Sequence, residues 1–151
     1  MKMAHVSDTL NVDVPLSVRS FITARNPAYQ AYLVLYAGFI ALPILAGLDK
    51  SMHLLVNWDQ YLAPVVAQTL HVTPHIFMLA VGVIEIVAGV LVALSPRIGA
   101  LVVAAWLCGI IVNLMLVPGY YDVALRDFGL FLGAMAVWRL SLEFDPRRIS
   151  A

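Results

Sequence analysis

Residues 74–94 decide the fold class, and they read PHIFMLAVGVIEIVAGVLVAL. The run is apolar almost throughout, and Glu85 is its only Asp, Glu, Lys or Arg residue. A helix needs about 20 predominantly apolar residues to cross the hydrocarbon core of a bilayer. Strands of membrane barrels instead alternate polar and apolar residues over about ten positions. The run therefore predicts a transmembrane helix.

Two further apolar runs, residues 27–48 and 98–117, contain no charged residue. Asn26 precedes the first run and is a favoured N-cap, while Pro27 suits the first position of a helix. Both runs have the length that a transmembrane helix needs. They predict two more spans, one on each side of residues 74–94.

The fourth run, residues 121–142, differs from the others because it contains Arg126, Asp127 and Arg139. A charge at the centre of a span opposes insertion by about 2.5–3.5 kcal/mol. These three charges lie toward the ends of the run, where the cost falls and long side chains reach the interface. The prediction is an all-α integral membrane four-helix bundle, formed by one domain of residues 1–151.

The composition fits a bilayer better than water. Of 151 residues, 62% are hydrophobic and 12% are charged, whereas soluble domains are about half apolar and about a quarter charged. Lys+Arg and Asp+Glu are both 9, so no basic surplus indicates a nucleic-acid partner. The single cysteine, Cys108, excludes an intramolecular disulfide and a CxxC redox pair. The lipid bilayer is therefore the partner that the sequence predicts most directly.

The connections between the runs set the arrangement of the helices. Residues 95–97 and 118–121 are short turns, which make the helices that they join antiparallel. The longer connection, residues 49–73, contains Trp58, which suits the headgroup region. We expect it to form an interfacial lid with a short amphipathic helix capped by Asp59. The apolar side of that helix would comprise Tyr61, Leu62, Val65, Val66 and Leu70.

The distribution of positive charge predicts the orientation. With the N-terminus inside, the cytoplasmic side carries Lys2, Arg19, Arg25, Arg97, Arg139, Arg147 and Arg148. The other side carries only Lys50 and Arg126, and cytoplasmic loops are the ones enriched in Lys and Arg. We therefore expect residues 1–26 and the tail 143–151 on the cytoplasmic side and the lid 49–73 on the periplasmic side.

Glu85 is the main candidate for function, because an ionisable group inside a span usually faces other helices and has a partner. It lies near the middle of its run and shares a helical face with Gly82, Gly89 and Ala93. Small residues mark close helix packing in membranes. We therefore expect the Glu85 side chain to point into the bundle.

Polar residues on the other runs offer partners for Glu85. They are Tyr36 on the first run, Lys50 on the same helical face just beyond its end, Asn113 on the third run and Arg126 on the fourth. Glu85 and Arg126 would differ in depth by about 10 Å, so water or a ligand could bridge them. The set predicts a buried network that fixes helix register, or an outward-facing cavity for a polar or amphipathic ligand. A third interpretation is a lateral docking surface formed by Arg126 and Asp127.

The histidines give weaker indications. They are His5, His53, His71 and His75. Only His75 adjoins a span, so a pair of facing haem ligands within the membrane is lacking. A metal site built on His71 and His75 would need a further ligand such as His53 or Asp59. Solvated interfacial histidines are the simpler interpretation, and we expect neither haem nor metal. Motifs of soluble enzymes such as GxSxG and HExxH do not occur.

Short motifs follow one another along residues 30–145. They are Gly47-Leu48-Asp49-Lys50, Asn57-Trp58-Asp59-Gln60-Tyr61-Leu62-Ala63-Pro64, Gly82-x-x-Glu85 with Gly89, Arg126-Asp127, and Arg139-Leu140-Ser141-Leu142 followed by Asp145. In this combination and order the chain resembles the DoxX-like family of small four-helix membrane proteins. Glu143 and Phe144 depart from the spacing that is usual in the family's closing segment.

The resemblance implies a bacterial inner membrane protein, since the family is named for a subunit associated with a thiosulfate:quinone oxidoreductase. If quinone chemistry occurs, the resemblance makes Glu85 the catalytic, proton-exchanging group, with Lys50, Asn113, Arg126 and Tyr36 around the head group. The rival interpretation is a non-catalytic accessory subunit that packs against a larger membrane complex or redox enzyme. The sequence leaves a homo-oligomer open.

Overall fold

The computed structural model describes residues 26–145. These residues form helices and the connections between them, and no strand occurs among them. The elements in chain order are α1 (Pro27–Met52), a 3-10 turn (Trp58–Tyr61), α2 (Pro64–Leu70), α3 (Pro74–Leu94), α4 (Pro96–Met115) and α5 (Tyr121–Phe144). The all-α prediction is confirmed for this part of the chain. The expectations for residues 1–25 and 146–151, including the cytoplasmic placement of both termini, lie outside the described residues.

Three of the long helices, α1, α3 and α4, are long and apolar enough to cross a membrane. Their outward faces carry large apolar side chains, such as Val34, Val83 and Val112, which are 73%, 62% and 63% exposed. Exposed apolar surface on this scale would be unfavourable in water. The outward faces therefore suit contact with lipid. Helix α5 has 24 residues and is long enough to span, but it contains too many charged residues to be a candidate span by composition.

Helix α1 is longer than the sequence predicted, because it continues past residue 48 to Met52. Asp49 and Lys50 were assigned to the lid, yet both are buried, at 5% and 3% exposure. The helix ends at His53, which adopts a left-handed conformation with φ 52° and donates its backbone N–H to Asp49 O. The helix continues because these two charged residues are buried against neighbouring elements. Hydropathy gives no indication of such burial.

Helices α1 and α3 are antiparallel and contact each other through glycine. A methyl group added at Gly82 would lie 2.6 Å from the carbonyl oxygen of Gly47, so the two backbones touch at this crossing. Farther along, Gly89 faces the side chain of Ile44, and Tyr36 Oη donates to Ala93 O at 2.8 Å. Small residues thus allow the two helices to approach closely, as in many membrane helix pairs.

The remaining long helices complete a closed arrangement. Helix α4 contacts α3 and α5, and α5 returns to contact α1. At this last contact Gly133 meets the ring of Phe39, and the Tyr32 ring lies 6.1 Å from the Phe144 ring. The buried core between the four long helices comprises Tyr32, Phe39, Ala88, Val92, Ala100, Val103, Ala104, Leu107, Ala134, Val137 and Phe144.

The connection between α1 and α3 covers one end of the four long helices, as expected for a lid. Its helix begins at Pro64 and not near Asp59, so the predicted extent was wrong. Asn57 caps the 3-10 turn by accepting the N–H of Asp59 at 3.2 Å. Pro64 keeps the preceding Ala63 extended, with ψ 132°, because the α region is disfavoured before proline. One continuous helix from Asp59 is therefore prevented.

Candidate functional site

The contact between Gly47 and Gly82 positions a buried ion pair. Lys50 follows Gly47 by about one helical turn, and Glu85 follows Gly82 by the same interval. Lys50 Nζ lies 2.6 Å from Glu85 Oε2, and the two residues are 3% and 9% exposed. The expectation that Glu85 points inward is confirmed, and Lys50 is the partner that it finds.

Trp58 covers the ion pair from the lid. Its ring centroid lies 3.8 Å from Lys50 Nζ, a cation–π contact that removes the amine further from water. Asp49 holds the ring in place, since its Oδ2 accepts the Trp58 indole N–H at 2.7 Å. Asp49 Oδ1 also accepts the backbone N–H groups of Leu54 and Leu55 at 3.0 and 3.1 Å. One buried carboxylate thus orders the start of the lid over Lys50.

A further carboxylate, Asp127 of α5, lies within electrostatic range of the ion pair. It is partly buried and interacts electrostatically with both Lys50 and Glu85. Its neighbour Arg126 points away, with Nη2 3.5 Å from Asp122 Oδ2 and a side chain that is 70% exposed. Successive residues on a helix differ by about 100° in direction, so only one of the adjacent pair can face the centre. Arg126 was predicted from the sequence to approach Glu85, whereas the structure brings Asp127 within electrostatic range of Glu85 and Lys50.

Trp106 of α4 links the ion pair to the outer surface. Its indole nitrogen is buried and interacts with the Glu85 carboxylate, although it forms no hydrogen bond of regular geometry with residues 26–145. Trp106 also lines an apolar groove of about 400 Å³ between α3 and α4. The other lining residues are Ile84, Val87, Ala88, Leu91, Val102 and Ala105. The groove opens on the lipid-facing side of two candidate spans.

The other predicted site residues lie apart from Glu85. Tyr36 is about 21 Å from Lys50 along α1 and donates to Ala93 O. Asn113 binds the lid backbone, since it accepts the N–H of Ala63 at 3.0 Å and donates to Tyr61 O at 2.6 Å. Of the predicted set, the structure brings together only Lys50 and Glu85. Asn113 positions the lid, Tyr36 joins α1 to α3, and Arg126 interacts with Asp122 on the exposed side of α5.

Four residues of the site were not proposed from the sequence as site residues. They are Asp49, Trp58, Trp106 and Asp127. Asp49 and Trp58 occur in the motifs that carried the family resemblance, so a signal for them existed. Trp106 lies within an apolar run and gave no signal. Asp127 was predicted from the sequence only as part of a lateral docking surface with Arg126, because the rotation of α5 depends on its neighbours.

Comparison of the chain with protein-family models, with curated proteins and with solved structures gave no match. A buried amine paired with one carboxylate and within electrostatic range of a second is costly in hydrocarbon, and ionisable groups inside a membrane commonly mark ion, proton or ligand sites. The Trp106 indole N–H adds a donor at the edge of the same cluster, where it interacts with Glu85.

Proposed function

We propose that the chain is a DoxX-like subunit of a bacterial inner membrane, and that it binds a lipophilic ligand of the quinone class beside Lys50 and Glu85. The observation that carries the proposal is the buried ion pair beside Trp106, whose indole interacts with Glu85 and whose side chain lines a lipid-facing apolar groove. The family resemblance in the motifs around Lys50 and Glu85 supports the same assignment.

The groove and the cluster match the two parts of such a ligand. An apolar tail would lie along α3 and α4, where the groove is lined by aliphatic side chains and Trp106. A head-group carbonyl would accept the Trp106 N–H, a buried donor that forms no hydrogen bond of regular geometry with residues 26–145. Glu85 would exchange a proton with the head group, and Lys50 would hold the carboxylate in place. Electrons would come from a partner redox enzyme.

The proposal includes four membrane crossings, with α5 as the fourth. Its surface carries exposed apolar residues such as Leu125 and Leu132, at 71% and 53% exposure. It packs between α4 and α1, so a bilayer that surrounds those helices also surrounds α5. Arg126 lies near the first end of the helix and Arg139 near the other, where their side chains can reach headgroups. The bias of positive charge supports cytoplasmic termini.

The test is to purify the protein in native lipid and measure bound quinone by native mass spectrometry and by extraction. Trp106→Phe keeps the aromatic volume and removes the N–H, so we expect bound quinone to fall at least tenfold. Thermal stability should change little, because Phe fills most of the same space and the lost N–H forms no hydrogen bond of regular geometry with residues 26–145. Trp138→Phe on α5 is the matched control. Equal quinone in the two variants, or none in the parent, would contradict the proposal.

A paired variant tests the role of the ion pair. Glu85→Gln alone leaves Lys50 buried with only Asp127 nearby, so we combine it with Lys50→Gln to remove both charges. We expect the double variant to fold and to lose quinone binding. A double variant that keeps the ligand and only changes in stability would show that the pair fixes helix register and has no role in binding.

The second candidate function is a non-catalytic accessory subunit, and the outer faces of α4 and α5 favour it. Gly109 and Gly129 are exposed, and a methyl group added at either meets no described atom within 4 Å. Exposed glycines leave room for a helix of a partner or of a second copy. This candidate predicts that a larger membrane complex co-purifies in mild detergent and that Gly129→Leu releases it. A ligand-bearing monomer would argue for the first candidate.

A further inference from the structure

A second polar cluster lies at the lid end of the protein, outside the ion pair. It consists of His53 at the end of α1, Asp59 in the 3-10 turn and His75 in the first turn of α3. One ligand atom from each residue lies within 4.8 Å of the other two. Three separate elements thus bring two imidazoles and a carboxylate to one point.

The Asp59 carboxylate approaches one nitrogen of each imidazole. Its Oδ1 is 3.9 Å from His53 Nε2, and its Oδ2 is 3.5 Å from His75 Nδ1. The imidazole rings are stacked, with centroids 5.3 Å apart and planes 23° apart. Bonds of about 2.0–2.2 Å to a tetrahedral zinc ion place ligand atoms about 3.3 Å apart. Small side-chain movements would therefore bring all three atoms to bonding distance.

One feature besides the geometry indicates that the cluster is suited to hold a cation. Asp59 Oδ1 is buried and accepts no hydrogen bond from the described part of the chain. A buried acceptor of this kind costs about 1–3 kcal/mol unless something satisfies it.

We propose that His53, Asp59 and His75 bind a divalent transition-metal ion of the zinc class. Two imidazole nitrogens and one carboxylate form a donor set that suits zinc and leaves a fourth position for water or an external ligand. From the sequence we expected no metal, and the alternative was a metal site built on His71 and His75. The structure places His71 elsewhere, exposed and with its Nδ1 3.2 Å from Thr69 O.

The metal would fasten the lid across the helix ends. Asp59 directly follows Trp58, the residue that covers Lys50, while His53 ends α1 and His75 starts α3. One ion bound to all three would hold α1, the lid and α3 together. Binding to the folded state alone raises stability in proportion to the logarithm of metal concentration. This inference is independent of the proposed quinone ligand.

The experiment uses the full-length protein in lipid nanodiscs, purified through an affinity tag without histidine. Zinc binding is measured by calorimetry, and Co²⁺ is added separately because its visible absorption reports the ligand geometry. We expect one ion per chain, a tetrahedral Co²⁺ spectrum and a higher unfolding temperature with zinc than with chelator. Binding that exceeds one ion per chain and leaves the unfolding temperature unchanged would overturn the proposal.

Variants then identify the ligands. Asp59→Asn keeps the shape of the side chain, and His53→Asn keeps a residue type that tolerates the left-handed conformation. We expect each of these, and His75→Ala, to weaken zinc binding by at least about tenfold, as the loss of a metal-supporting group commonly does. His71→Ala is the matched control and should bind as the parent does. The proposal fails if His71→Ala weakens binding equally, or if the three ligand variants bind normally while their metal-free unfolding temperatures match the parent's.

Discussion

Lys50 Nζ lies 2.6 Å from Glu85 Oε2, beneath the Trp58 ring and one helical turn from the place where Gly47 touches Gly82. A close backbone approach between α1 and α3 therefore adjoins the buried ion pair. This relationship makes the packing of α1 on α3 and the chemistry of the site depend on each other.

The ion pair should show strong coupling between its two members. Lys50→Met leaves Glu85 buried near Asp127, and removal of one partner of a buried pair commonly lowers stability by about 3–5 kcal/mol. Lys50→Met combined with Glu85→Gln should recover most of that loss. The measurement is reversible unfolding in mixed micelles. The exposed pair Arg126 and Asp122 serves as the control, with an expected coupling of about 0–1 kcal/mol. Additive effects of Lys50→Met and Glu85→Gln would argue against the pairing.

The glycine crossing predicts a sharp difference between two alanine variants of α1. At Gly47 an added methyl group would clash with the backbone of Gly82 on α3, so Gly47→Ala must push the helices apart. Overpacking of this kind costs about 1–3 kcal/mol. At Gly38 no described atom lies within 4 Å, so Gly38→Ala should be neutral or slightly stabilising. Thermal unfolding in the same detergent compares them, and an equal loss in both variants would exclude a close crossing.

Asp49 should control the order of the lid above Lys50. Asp49→Ala removes the acceptor for Trp58 Nε1 and for the N–H groups of Leu54 and Leu55. We expect faster hydrogen exchange at those two amides and a red shift of tryptophan emission. Asp122→Ala removes an exposed carboxylate on α5 and is the matched control. Unchanged exchange at Leu54 and Leu55 in Asp49→Ala would show that other contacts order the lid.

Cysteine labelling tests the number of crossings. The chain has one cysteine, so Cys108→Ala gives a background into which single cysteines can be placed. Thr69→Cys and Pro118→Cys should react with a membrane-impermeant reagent from the periplasmic side. Ser95→Cys and Glu143→Cys should react only from the cytoplasmic side, because α4 and α5 each cross once in the proposed arrangement.

Each labelling outcome has a definite structural meaning. Reaction of Glu143→Cys and Pro118→Cys on the same side would show that α5 lies along the surface and does not span. Reaction of Ser95→Cys and Pro118→Cys on the same side would exclude α4 as a span. A complete reversal of sides would retain four crossings and place the lid in the cytoplasm, which would contradict the predicted orientation.

Much of the fold follows from local sequence features. The apolar runs, together with Asn26 and the prolines at helix starts, predict where the long helices occur. The end of α1 was missed because Asp49 and Lys50 are polar, and only their contacts with other elements make burial favourable. The lid helix begins later than predicted, because Pro64 keeps Ala63 extended and this effect outweighs the amphipathic pattern that begins earlier.

The sequence by itself determined that the described chain is helical, that three helices suit a bilayer, and that Glu85 faces inward. These properties follow from hydropathy and from small residues spaced along one helix, which are local. The tertiary structure decided which residue pairs with Glu85, and which of Arg126 and Asp127 faces the centre. It also brought His53, Asp59 and His75 together. Such contacts depend on how each helix is rotated and shifted against its neighbours, because residues distant in sequence meet only after the helices pack.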